Sequence, residues 1–314
     1  TVLDEHLAVH NKVYVEASGS GSIYSPERVN RKLLFSELER IQPDVVMVES
    51  WQTAITHAVI ESAYLLGIPV FMISHGVSVH PFSNGLMQIT RSLGWFFYRY
   101  YRLPKLISKL TLLTCLDMKS KSNRLYDRDI ALKKKIPVFR LVNAPINFRG
   151  SLLSKKDRKI QILVLGYFSP VKNQLDALRI LKNLPDNITL RFIGPRKGRY
   201  YISCLNLVNE LGLYSRVSFL EDTECSVSQQ IAESIVILST SITEVLPVSL
   251  LEAMASGTPF VANNVGAVPS LKAGIVVSSL NESVEAIQNL IYDNKLKVSH
   301  IYFYGAGCGT EKPS

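Results

Sequence analysis

Glu244 and Glu252 bracket the start of an apolar helical pattern within 243–270, TEVLPVSLLEAMASGTPFVANNVGAVPS. An ionised carboxylate only accepts hydrogen bonds and a vicinal diol donates two, so a sugar ring at one and a ribose at the other would satisfy both. Between them the backbone N–H groups of the helix start, around Leu246 and Val248, would face a diphosphate, and the helix dipole favours negative charge there. A plainer alternative stays open on these residues alone: Glu252 complements the helix N-terminus, and Glu244 is a solvated loop residue. Two further residues have chemistry to offer. Lys172 stands just ahead of a helix, an unfavourable place for an unpaired cation, and so points to an anion held nearby. His75 closes an apolar run as Ser74-His75-Gly76, and imidazole is the side chain that titrates near neutral pH.

These residues need a scaffold, and the surrounding pattern supplies one. Residues 234–239, SIVILS, are a short β-branched run of the kind a parallel strand buried on both faces shows. From Val248 the apolar Leu250, Leu251, Met254 and Ala255 recur at helical spacing, Gly257 suits a helix C-terminus and Pro259 forbids continuation. Phe260 then opens the next strand. In such β-loop-α-β units ligands sit beyond the carboxyl ends of the strands, where Glu244 and His75 both fall. The alternation runs along the chain, with strands predicted at 12–16, 43–49 (buried), 68–73, 110–114, 137–142, 160–166, 190–194, 217–220 and 274–277. Helices are predicted at 30–40, 53–66, 119–135 (basic and on the surface), 201–211 and 282–292. Polar residues 151–159 read as a linker that divides the chain into 1–152 and 153–314. The fold class is α/β, with two parallel-sheet domains.

The string Glu244, seven residues, Glu252-Ala253-Met254-Ala255, Gly257-Thr258-Pro259, then Gly266 and Pro269, resembles the donor-site signature of retaining glycosyltransferases of family 4. The resemblance implies the GT-B fold, two Rossmann-like domains facing across a cleft that closes by hinging at the linker, the first domain here lacking its initial strand. It implies transfer of a sugar from a nucleotide-diphosphate donor to an acceptor hydroxyl with retention, in polysaccharide or glycolipid synthesis. Glu244 would contact the transferred sugar, Glu252 the ribose, and Gly166 and Lys172 the diphosphate, with Leu246 and Val248 at the helix start; His75 would lie near the donor sugar and acceptor. The family is thought to attack from the front face, the departing phosphate taking the acceptor's proton, with no cofactor and no metal. This chain departs from the pattern at Val245-Leu246 for Gly-Phe, Ser270 for Glu, Ala144-Pro145 in the closing turn, and Tyr167 for an Arg whose work would pass to Arg196 or Lys197. A sugar-nucleotide epimerase of the same architecture and a degenerate, non-catalytic sugar-nucleotide-binding protein are the alternatives.

The 314 residues are enough for two ordinary cores, and 47% apolar against 19% charged residues describes a folding chain. A net charge of +9 favours anionic partners without choosing among them. Four scattered cysteines form no Cys-x-x-Cys pair, which disfavours a zinc ribbon and favours a reducing compartment such as the cytoplasm. The chain has no initiator Met and reads as a fragment; its Gly-rich end at 305–309 does not resemble the family's closing helix. One segment stands apart. Residues 91–109 interleave Trp95, Phe96, Phe97, Tyr98, Tyr100 and Tyr101 with Arg91, Arg99, Arg102, Lys105 and Lys109. Such a mixture suits an anionic membrane surface, here the inner face, or single-stranded nucleic acid, or a core-packing helix with snorkelling cations; of the ligands, the membrane is favoured over nucleic acid. Pro104 is expected to interrupt any long helix there.

Overall fold

The computed structural model describes residues 17–18, 28–51, 53–77, 93–94, 96–121, 123–141, 153–271 and 273–292. The chain forms two compact units, Thr1–Leu141 and Val142–Ser314, dividing ahead of the polar 151–159 stretch. The strand expected at 12–16, the turn at 143–148 and the Gly-rich end at 305–309 lie outside the described residues.

Among its described residues the first unit starts with a short antiparallel pair, β1 (Ala17–Ser18) and β2 (Arg28–Val29). Helix α1 (Arg31–Ile41) starts at Asn30, whose side chain accepts from Leu33 N, and α2 (Ala54–Leu65) starts at Thr53, which accepts from Thr56 N. Strands β3 (Val46–Glu49), β4 (Val70–Ile73), β5 (Leu112–Cys115) and β6 (Val138–Arg140) form a parallel sheet in that order. The sequence predicts a buried strand at 43–49, yet β3 alternates buried and exposed residues, with Met47 63% exposed, because among the described residues it is an edge strand. Pro104, expected to interrupt any long helix in 91–109, falls where regular α-helix is broken. Tyr98–Arg102 is wound as a π turn that runs into α3 (Leu103–Ile107), and Pro104 sits in the first turn of α3, where a missing N–H costs little. The basic surface helix expected at 119–135 is the shorter α4 (Tyr126–Lys133), and it lies on the surface by one face only: Asp129, Leu132 and Lys133 are exposed, whereas Asp127, Arg128, Ile130 and Ala131 are buried. Trp51, Ile60, Met72, Leu103 and Leu113 fill the core between helices and sheet.

The second unit runs β7 (Lys159–Leu165), α5 (Gln174–Lys182), β8 (Thr189–Ile193), α6 (Arg199–Leu211), β9 (Val217–Leu220), α7 (Val227–Glu233), β10 (Ser234–Ser239), α8 (Val248–Ala255), β11 (Phe260–Asn263), β12 (Gly274–Val277) and α9 (Leu280–Tyr292). All its strands are parallel, in the order β12-β11-β10-β7-β8-β9. From central β7 the chain steps outward through β8 and β9, then returns to the other side of β7 and steps outward again. The carboxyl ends of β7 and β10 therefore diverge at a topological switch point, where doubly wound sheets leave a crevice for ligands. Buried β10 and the apolar face of α8 (Leu250, Leu251, Met254) anchor that edge, each fully buried large side chain contributing about 1.5–3 kcal/mol. Among the described residues no helix is long and apolar enough to cross a membrane.

Arg158, just before β7, ties the helix ends together. Its guanidinium donates to the carbonyls of Ala232 (2.9 Å) and Ser234 (3.3 Å) at the end of α7, and of Ser256 (3.2 Å) and Gly257 (3.1 Å) at the end of α8. A cation is favoured at both negative helix ends, and the orphan carbonyls gain donors. Arg158→Met is expected to lower the unfolding free energy in urea by about 2–3 kcal/mol, as charged hydrogen bonds do. Lys159→Met, which removes only an exposed pair with Glu233, should cost under about 1 kcal/mol; equal losses in the two variants would refute this role for Arg158.

Candidate functional site

Gly166 directly follows β7 with φ of +126°, a conformation that favours glycine, and its N–H donates to Ile193 O at 2.9 Å. The loop that follows returns over it, so that a Cβ on Gly166 would lie 3.5 Å from Lys172 Cε. Lys172 therefore lies along the strand end and extends to the next strand's loop, where Nζ meets Glu244 Oε1 at 2.5 Å. Ser241 Oγ donates to the same oxygen at 3.2 Å. Both partners are largely covered, with side chains 21% and 14% exposed.

The backbone under this ion pair is fastened from three strands. Thr240 Oγ1 donates to the carbonyls of Lys172 (3.1 Å) and Asn173 (2.8 Å), and Ile242 N donates to Val171 O (2.8 Å), binding the β7 loop to the β10 loop. From β11, Asn263 Nδ2 donates to Thr240 O at 3.0 Å. Gly266 completes the set: with φ of +56°, it lies so close that a Cβ there would stand 2.5 Å from Val245 O and 2.9 Å from Glu244 C. Ala267 N donates to Val245 O at 2.7 Å. This close approach is the physical reason for a glycine at 266.

Glu252 lies on α8, and its carboxylate has no hydrogen-bond or ionic partner among the described residues; partial burial pushes its pKa above the usual carboxylate range. No side chain caps the N-terminus of α8, and Val248 is exposed there. Leu246 is buried, so its side chain belongs to the packing and only its backbone faces the loop. The structure thus brings Gly166, Lys172 and Glu244 together at the switch point, with Glu252, Leu246 and Val248 on the element that follows. Of the two substitutes for an Arg at Tyr167, Arg196 is held by Glu224 at 2.7 Å and Glu221 at 3.7 Å. Lys197 has no partner among the described residues, and Tyr167 itself is exposed.

In the first unit, His75 follows β4 and Glu49 ends β3, and His75 Nε2 meets Glu49 Oε1 at 2.6 Å with both side chains open to solvent. Beneath this pair, Ser74 Oγ donates to Asp127 Oδ2 and accepts from Gly76 N at 3.0 Å, while Trp51 Nε1 donates to the same Asp127 oxygen at 2.7 Å. Asp127 is fully buried and its Oδ1 lacks a partner. Sequence reasoning missed Glu49 and Asp127. An acidic residue closing the strand beside that of His75 was a usable signal for Glu49. No local signal exposed Asp127, which sits in a charged stretch resembling a solvated helix. Among the described residues no three His, Cys, Asp or Glu side chains gather as a metal site.

Two parallel-sheet α/β units, one with a polar cluster at the switch point of a doubly wound sheet, form an architecture that seats ligands beyond the strand ends. Residues 148–299, which fall within the second unit, match the family model of Glycosyl transferases group 1. No curated protein matches the chain. Among solved structures, the chain is similar to HepE from Anabaena in complex with UDP, at 16% identity and a TM-score of 0.63, covering 84% of this chain and 73% of that one. It is similar to the sucrose-phosphate synthase of Thermosynechococcus elongatus at 18% identity and a TM-score of 0.62, covering 84% and 68%. The pneumococcal O-GlcNAc transferase GtfA, in complex with UDP and GlcNAc, aligns at 14% identity and a TM-score of 0.58, covering 86% and 55%. At these identities the likeness is one of fold, and the fold is that of GT-B glycosyltransferases.

Burial raises the pKa of Asp127, so the folded state binds its proton more tightly than the unfolded chain does. Its contribution to stability is then complete below the ordinary aspartate range and is lost as pH rises through the raised value. Asp127→Asn, which keeps a neutral acceptor, is expected to show a flatter loss over that window in urea titrations at a series of pH values. A wild type that gains stability relative to the variant as pH rises there would contradict the assignment.

Proposed function

We propose that the chain is a retaining glycosyltransferase that moves a sugar from a nucleotide-diphosphate donor to an acceptor hydroxyl. The observation that carries this reading is the Lys172–Glu244 ion pair at the switch point of a glycosyl transferases group 1 domain. A diphosphate seated there meets Lys172 and the uncapped start of α8, which favour negative charge where the leaving group develops it. Glu244, released from Lys172 by that anion, accepts from hydroxyls of the transferred sugar, and the unpartnered Glu252 accepts from the ribose diol. The bond from the anomeric carbon to the phosphate oxygen breaks, the acceptor oxygen bonds that carbon on the same face, and the acceptor's proton passes to the departing phosphate. His75, paired with Glu49, is assigned to the donor sugar and acceptor. No metal or cofactor enters this scheme. The products are glycans of polysaccharide or glycolipid type, and the donor class is supported by what solved neighbours hold: HepE is in complex with UDP-glucose, and GtfA with UDP and GlcNAc.

Tyr167 in the place of a phosphate-binding Arg favours a second reading, a binding protein that holds the nucleotide sugar without transfer. Incubation with nucleotide sugars and candidate acceptors separates the two, since only the enzyme releases nucleoside diphosphate.

Glu252→Ala is expected to weaken nucleotide binding about 10- to 150-fold, the loss of one charged hydrogen-bonding partner. Glu244→Ala should instead lower kcat by about tenfold or more while nucleotide affinity changes little. Unimpaired turnover in both variants sinks the proposed roles. The ionised form of Glu252 accepts two donors and the protonated form fewer, so donor affinity is expected to fall as pH drops through its raised pKa. Calorimetry on Glu252→Gln should lose that dependence.

A further inference from the structure

The first unit carries a cationic groove that takes no part in the scheme above. Two adjoining cavities of about 630 and 490 Å³ lie among α1, α2 and the segment ending at Lys109, and both are lined by Glu61 and Lys109. Five cations, Arg31, Lys32, Arg102, Lys105 and Lys109, line them against the single carboxylate of Glu61. Arg31 and Arg102 both bond Glu61, the latter at 3.3 Å. The remaining charges are left over: Lys109 Nζ lies 5.5 Å from the Tyr64 ring centroid, and Lys32 and Lys105 have no partner among the described residues. Beside the groove stands a ridge of exposed rings, Phe96, Phe97, Tyr100 and Tyr101. Phe96 packs on Tyr100 at 4.6 Å and Phe97 on Tyr101 at 5.8 Å between centroids.

We infer that this groove seats the phosphate of an anionic lipid headgroup, with the ring ridge entering the bilayer interface beside it. A soluble phosphate would account for the surplus cations but leaves the ridge of exposed rings unexplained. Aromatic rings are at home among headgroups, and juxtaposed cations draw the surface to anionic lipid. Nucleic acid is disfavoured because the rings pack on one another and do not stand apart as platforms for successive bases. The α1 cations bring a third element to a feature that 91–109 alone suggested, and they make it a pocket. The inference stands independently of the donor-site reading, since no groove residue belongs to either cluster described above.

Sedimentation of the full chain with vesicles tests it. Binding is expected to vesicles of phosphatidylglycerol and phosphatidylcholine and not to phosphatidylcholine alone. Lys105→Gln combined with Lys109→Gln should weaken it about thirtyfold, from about 1 kcal/mol per lysine near an anionic surface. Lys105→Arg with Lys109→Arg keeps the charge and should retain binding, which guards against a misfolded first variant. Phe97→Ser with Tyr101→Ser should also release the chain from acidic vesicles. Equal sedimentation with both vesicle types, or an unchanged lysine variant, overturns the inference. So does lysine-dependent binding of inorganic phosphate or of a single-stranded oligonucleotide in a chain that ignores acidic vesicles.

Discussion

The pairing of Lys172 with Glu244 is the constraint on which the second unit's site depends. An ion pair this far covered gains little net stability, because desolvation offsets most of the attraction. Its value lies in placement. Each partner keeps the other desolvated and aimed, so a ligand bearing both an anionic group and hydroxyls exchanges one set of partners for another without stripping two hydrated side chains from water. The backbone beneath is built to hold that arrangement. Thr240 and Asn263 cross-link the loops by hydrogen bonds, and Gly266 permits a contact that a side chain would prevent.

The first unit uses a different device at the corresponding sheet edge. There the residue before His75 is fixed from below by a buried carboxyl, while His75 and Glu49 stay open to water. A buried aspartate with one oxygen unpartnered is costly, and it is offset by two donors, the Trp51 indole and the Ser74 hydroxyl. The two units thus place polar groups at strand carboxyl ends by opposite means, one with an exchangeable ion pair and one with a fixed carboxyl under the loop.

The parts of this structure that were legible in the sequence are those governed by local rules. The strand at 234–239, the helix after Val248, its stop at Gly257 and Pro259, and the helix closed at Gly212 follow from apolar period and glycine or proline position. What was not legible depends on contacts between distant segments. Lys172 and Glu244 stand 72 residues apart, and Ser74 and Asp127 53 apart. The charged stretch at 119–135 reads as a solvated helix because charge is visible locally, whereas burial of Asp127 and Arg128 is decided by what packs over them.

The account's central claim is that a nucleoside diphosphate takes Lys172 from Glu244. The most direct test is calorimetric titration of UDP, GDP and ADP, without sugar, into wild type, Lys172→Met and Glu244→Gln. For whichever nucleotide binds wild type best, the account predicts weaker binding to Lys172→Met and equal or tighter binding to Glu244→Gln, whose lysine has no internal competitor. Equal affinity in Lys172→Met and wild type, or a loss in Glu244→Gln as large as that in Lys172→Met, would contradict it.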